Sequence, residues 1–129
     1  MLVTLKEILE IAEKKKIAIG SFNASGLEAI EAELAAAEEL QLPIIIQFAQ
    51  CHEPWVPLDT IGPIMVHMAK RASIPVCVHL DHGETLEYLA KALEIGFTVL
   101  CMMGLSSHMK KILRIQKRQL QWQENMGLA

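Results

Sequence analysis

Apolar residues recur along this chain in two alternating rhythms. Leu5, Ile8, Leu9 and Ala12 fall on one helical face, behind the tetrad Thr4-Leu5-Lys6-Glu7. That tetrad has the form of a capping box, in which a Thr hydroxyl and a Glu carboxylate satisfy orphan amides at a helix start. Lys14, Lys15 and Lys16 place cations at the far end, where the helix dipole is negative. Ile17 to Phe22, ending in Asn23, is a short apolar run and predicts a strand. Ser25-Gly26-Leu27-Glu28 has the form of a second capping box, and Leu27, Ile30, Leu34 and Ala37 follow at helical spacing. Pro43 stops that helix, because it cannot continue one. Ile44-Ile45-Ile46-Gln47-Phe48 is apolar and β-branched and predicts a buried strand. Pro54, Pro57 and Gly62 predict an irregular connection, with Leu58, Ile61, Met65, Met68 and Ala72 at helical spacing around it. Val76-Cys77-Val78-His79-Leu80 predicts a third strand, and Leu86, Leu89, Ala90 and Leu93 a helix that Gly96 ends. Phe97-Thr98-Val99-Leu100 predicts a fourth strand.

The predicted order is α-β-α-β-α-β-α-β. Strands without polar alternation, separated by helices, imply an α/β fold with a parallel sheet covered by helices. A doubly wound sheet and a (β/α)8 TIM barrel both fit that order. No GxGxxG or P-loop follows any strand, which counts against a nucleotide site.

Composition narrows the picture further. The chain has 129 residues, 52% of them hydrophobic, enough for one domain with a core and short for two. Charged residues make up 21% and the formal net charge is −3, so disorder and a dedicated nucleic-acid binder are not expected. No apolar run approaches the roughly 20 residues of a membrane span. The first residues show no basic-then-apolar leader, and the three cysteines, Cys51, Cys77 and Cys101, form no CxxC knuckle or disulfide framework. A reducing, cytoplasmic setting is expected. The charge is uneven: residues 1–98 hold 7 Lys and Arg against 14 Asp and Glu, and residues 99–129 hold 5 against 1. The balance reverses from −7 to +4 near residue 98.

Ligands of parallel α/β folds bind at the C-terminal ends of the strands, so the polar residues there are the candidates. They are Asn23 after the first strand, Gln47 within the second, then Gln50, Cys51, His52 and Glu53, and finally His79, Asp81 and His82 at the third. A carboxylate beside an imidazole suits proton transfer and metal binding respectively. Equally, His79 suits a structural histidine that bonds a neighbouring carbonyl, and Cys77 suits packing inside a strand. Adjacent loop residues such as Cys51 and His52 rarely both ligate one metal. Met65 and Met68 read as core, and His67 as surface.

Pro75 to Gly83, with Val76-Cys77-Val78-His79-Leu80-Asp81-His82-Gly83 in it, followed by Gly96-Phe97-Thr98, resembles the class II, zinc-dependent ketose-bisphosphate aldolases. Ala18-Ile19-Gly20-Ser21-Phe22-Asn23 and Leu42-Pro43-Ile44-Ile45-Ile46-Gln47-Phe48 extend the resemblance over about residues 1–98. It implies the N-terminal half of a (β/α)8 barrel, since a full one takes roughly 250 residues. It implies reversible aldol cleavage of a phosphorylated sugar, fructose or tagatose 1,6-bisphosphate, to dihydroxyacetone phosphate and glyceraldehyde 3-phosphate. Asp81 matches the family's proton-transfer aspartate, His82 its first zinc-ligand histidine and Asn23 a substrate-side asparagine. Zinc is the implied cofactor and a homodimer the implied assembly. Where the family often has Ser after the second strand's Gln-Phe, this chain has Ala49.

Past Thr98 the resemblance ends. The family's Asp-Gly-Ser strand, its later zinc histidines and its phosphate loops have no counterpart in Val99 to Ala129, and His108 stands at no matching position. Residues 1–98 are therefore expected to be a partial barrel domain and 99–129 a divergent basic tail, helical or disordered, produced by a frame change in the coding sequence. One histidine does not make a catalytic zinc site, so the chain alone is expected to be inactive. Its alternative role is a non-catalytic half-barrel that associates with another barrel subunit. A small metal-binding protein using Cys51, His52, His79 and His82 is a third reading.

Overall fold

The tetrad at Thr4 does cap a helix. In the computed structural model, which describes residues 1–102, the Thr4 hydroxyl accepts from the Glu7 amide and the Glu7 carboxylate accepts from the Thr4 amide at 2.7 Å. Helix α1 spans Leu5–Lys15. Lys16 turns left-handed and lets the Ile17 amide donate back to Ala12 O, so Ile17 closes the helix instead of opening a strand. Strand β1 is therefore only Gly20–Asn23, shorter than the apolar run suggested.

Helix α2, Leu27–Leu40, lacks the second capping box. Its N-cap is Gly26, one residue later than a box starting at Ser25 requires, so the Ser25 hydroxyl is out of register with the helix amides. Strand β2 is Ile44–Ala49, followed by a 3-10 turn, Gln50–His52, and helix α3, Leu58–Arg71. Gly62 belongs to α3, not to the connection before it. A Cβ there would lie 3.1 Å from both Ile95 and Phe97, so the glycine serves close packing between elements. Strand β3, Val76–Gly83, runs three residues beyond the predicted Leu80. Helix α4, Leu86–Ile95, ends at Gly96 with φ +111°, and β4 is Val99–Met102. The sheet thus takes in the first four residues beyond the charge reversal at residue 98. The basic tail's remaining residues, 103–129, and the helix or disorder expected of them, lie outside the described residues.

All the strand pairs are parallel, and the sheet order is β1-β2-β3-β4. A doubly wound sheet reverses its order at a switch point, whereas a barrel keeps chain order. The observed order is consistent with part of a (β/α)8 barrel.

Side chains alternate between the sheet's two faces. Ile44, Ile46 and Phe48 of β2 and Val76, Val78 and Leu80 of β3 are buried in one cluster with Ile30 and Leu34 of α2, Ile61 and Met65 of α3, and Leu89 of α4. The intervening positions, Ser21, Asn23, Gln47, His79 and Asp81, occupy the opposite face. Their rows are level across the sheet: Asn23 pairs with Gln47, and Gln47 with His79. The chain start is stitched to the entry of β3, with Leu2 bridged to Val76 and the Met1 amine donating to Ala72 O and, at 2.7 Å, to Ile74 O.

Candidate active site

Neighbouring residues of a regular strand point to opposite faces, so Asp81 and His82 should not meet. A bulge in β3 changes that. Leu80 pairs with Leu100 and Gly83 with Met102, so three steps along β3 oppose two along β4. Within the bulge His82 has φ +50°, a left-handed conformation unusual for a residue with a Cβ. The result is a carboxylate and an imidazole side by side, with Asp81 Oδ2 at 3.5 Å from His82 Nε2. Asp81's side chain is 18% exposed and that of His82 58%. Gly83 makes the bulge possible, because a Cβ there would lie 2.5 Å from Leu89 Cδ1 and 3.2 Å from the carbonyl oxygen of Cys101.

Gln47 joins the strands' mouths. Its amide nitrogen donates to Asn23 Oδ1 at 3.3 Å and to Asp81 Oδ2 at 3.4 Å. Its carbonyl oxygen accepts from the Ser21 hydroxyl at 2.6 Å and lies 3.2 Å from His79 Nδ1. Burial pulls the His79 imidazole's pKa below its ordinary value, against the opposing pull of the Asp81 charge. A neutral imidazole is what that environment favours.

Two further ties hold the rim. Gln50 Oε1 accepts from the Glu84 amide at 2.7 Å, which joins the segment after β2 to the segment after β3. The Glu53 carboxylate accepts from the Leu58 amide at 2.9 Å and from the Tyr88 hydroxyl, so it caps α3 and grips α4 together. Burial and the Glu53 carboxylate both push the Tyr88 hydroxyl's pKa up, which keeps it a donor.

Three candidate residues thus come together: Asn23 and Asp81 bond the same amide, and His82 touches Asp81. Cys51 and His52 stay apart from them. Cys51 is exposed, and the His52 ring packs between Phe48 and Trp55 at centroid distances of 5.7 and 5.8 Å. Cys77 is buried, its thiol pKa raised by that burial, 3.3 Å from the Thr98 hydroxyl. Among the described residues no group of three or more His, Cys, Asp or Glu side chains could hold a metal ion. The candidates His79 and His82 therefore do not complete a metal centre with Cys51 or His52. Gln47 stood among the strand-mouth candidates, but its role in linking Asn23, Asp81, Ser21 and His79 was not read from the sequence, and Ser21 was not singled out. Part of the signal was there: counting back two from Asn23 reaches Ser21 and two from Asp81 reaches His79, whereas Gln47 joins their face only through the strand register.

Residues 3–128 match the family model described as "Fructose-bisphosphate aldolase class-II". A fructose-bisphosphate aldolase of Thermus caldophilus is 39% identical over 98 residues, covering 76% of this chain and 32% of the relative. One from Geobacillus stearothermophilus is 31% identical over 134 residues, covering 99% of this chain and 46% of the relative. The chain therefore spans less than half the length of either. Among solved structures, the YdjI aldolase of Escherichia coli K12 superposes with a TM-score of 0.77 at 27% identity, over 98% of this chain and 48% of that one.

Proposed function

The chain belongs to the class II fructose-bisphosphate aldolase family, and from that premise we propose that it carries the proton-transfer side of an aldolase site. The observation that carries the reading is the Asp81–His82 pair, aimed into one strand mouth by the β3 bulge. The substrate would be a phosphorylated ketose, fructose or tagatose 1,6-bisphosphate. Asp81 would take the proton from the hydroxyl beside the breaking carbon–carbon bond and return it in condensation. Asn23, held by Gln47 at the same mouth, would bond the substrate. Both groups sit on strands, so their placement is set by the sheet.

The family is generally zinc-dependent, and a catalytic zinc takes three protein ligands. The described residues supply one suitable imidazole, His82, and no set of three. They do not fit a complete zinc site. His82 is proposed as a single ligand whose companions lie outside residues 1–102. The 129-residue chain alone is then expected to cleave neither bisphosphate, with or without added zinc. Coupled detection of triose phosphate tests this. Turnover that Asp81→Ala abolishes would prove the chain sufficient and the proton role right. Turnover that survives Asp81→Ala would reject that role.

A further inference from the structure

We propose that Gln47 is the positioning residue of this mouth: through one amide it orients the Asp81 carboxylate and locks His79 in its Nδ1–H tautomer. This rests on the aldolase reading for its use, but not for its chemistry. An amide group has two donor hydrogens on nitrogen and two acceptor lone pairs on oxygen. In Gln47 all four have partners: Asn23 and Asp81 on nitrogen, Ser21 and His79 on oxygen.

Asp81 decides which way round the amide sits. A carboxylate accepts and does not donate, so Gln47 must show it the nitrogen. The oxygen then faces His79 Nδ1 at 3.2 Å. Oxygen only accepts, so the hydrogen of that bond must be on Nδ1. A neutral imidazole carries one N–H, so Nε2 of His79 is left with its lone pair. The Asp81 charge thus fixes a tautomer on the same strand without touching that ring, by way of a side chain on β2. The Asp81 oxygen that takes the Gln47 hydrogen is Oδ2, the same atom that faces His82. Rotation of the carboxylate is resisted from both sides.

Long-range proton–nitrogen spectra of the 15N-labelled 129-residue chain read the tautomer directly, at a pH where imidazoles are neutral. His79→Phe identifies the His79 signals among the five histidines. The expected pattern is a protonated Nδ1 and an unprotonated Nε2 at His79. Gln47→Leu should move His79 towards the Nε2–H form that a free imidazole prefers, while Ser21→Ala should leave it Nδ1–H. Gln47→Glu, whose oxygens still accept, should also keep Nδ1–H. An Nε2–H His79 in the unaltered chain overturns the proposal, as does an Nδ1–H His79 that Gln47→Leu does not change. If Gln47→Leu does not fold, Gln47→Met, which also removes the acceptor oxygen, takes its place with the same two outcomes. None of these measurements needs metal or turnover. The tautomer is read without turnover, so an Nε2–H His79 would reject the lock and leave the aldolase role standing, while turnover that survived Asp81→Ala would reject that role and leave the lock standing.

Discussion

At the scale of single residues, the site depends on two positions in the β3 bulge that pull against each other. His82 holds φ +50°, which disfavours a side chain, and Gly83 occupies a space that admits none. Exchanging His82 for glycine should relieve the first strain and raise unfolding free energy by about 1 kcal/mol, read from denaturant melts. Gly83→Ala should lower it by about 1–3 kcal/mol, because its Cβ would meet Leu89 and the Cys101 backbone. A stability gain from removing a proposed ligand would mark His82 as retained for chemistry. His79 adds a pH effect. Its folded pKa is held below the ordinary 6.5, so the unfolded chain binds more protons as pH falls past that value. Stability contributed by neutral His79 is fully present above about pH 6.5 and is lost below it, and His79→Gln should flatten that stretch of the curve.

At the scale of elements, the two Ser/Thr-x-x-Glu tetrads look alike in sequence and behave differently in the fold. Thr4→Ala should cost about 1 kcal/mol by deleting a cap, whereas Ser25→Ala should change the melting profile little, because Gly26 is the N-cap. The distinction turns on a one-residue helix start that local sequence does not encode. Helical stripes and β-branched runs, by contrast, were legible, because burial against the sheet imposes their periods. Phe48, at the centre of that burial, should cost about 3–5 kcal/mol when cut to alanine. Asp81, His82 and Asn23 were legible as candidates because strand mouths collect ligands. Gln47 was a candidate too, but its linking role and the bulge were not legible, since both express pairing between strands that lie 20 to 32 residues apart, as His79 with Val99 and Ile44 with Val76. Gly62 misled for a related reason: its packing partners, Ile95 and Phe97, come more than 30 residues later.

At the scale of the whole molecule, β1 and β4 each pair on one side only among the described residues. Phe22 on β1 is 52% exposed. Free strand edges template further pairing. Each edge is therefore a place where a further strand, from this chain or from another copy, would pair, and a mass that rises with concentration in sedimentation would mark the second case. A frame change at the charge reversal would leave the family's later strands readable in another frame of the coding DNA.

The stitch between the chain's first residues and the entry of β3 sets an order of events during synthesis. β1, β2 and β3 each pair with the strand that follows, so sheet growth can follow the ribosome as each βα unit emerges. The Met1 amine instead bonds Ile74, 73 residues on. The segment ahead of β1 must wait, unseated, until β3 has left the exit tunnel. Its nascent helix, with Leu5 and Leu9 still exposed even in the finished fold, is open to a chaperone throughout that wait.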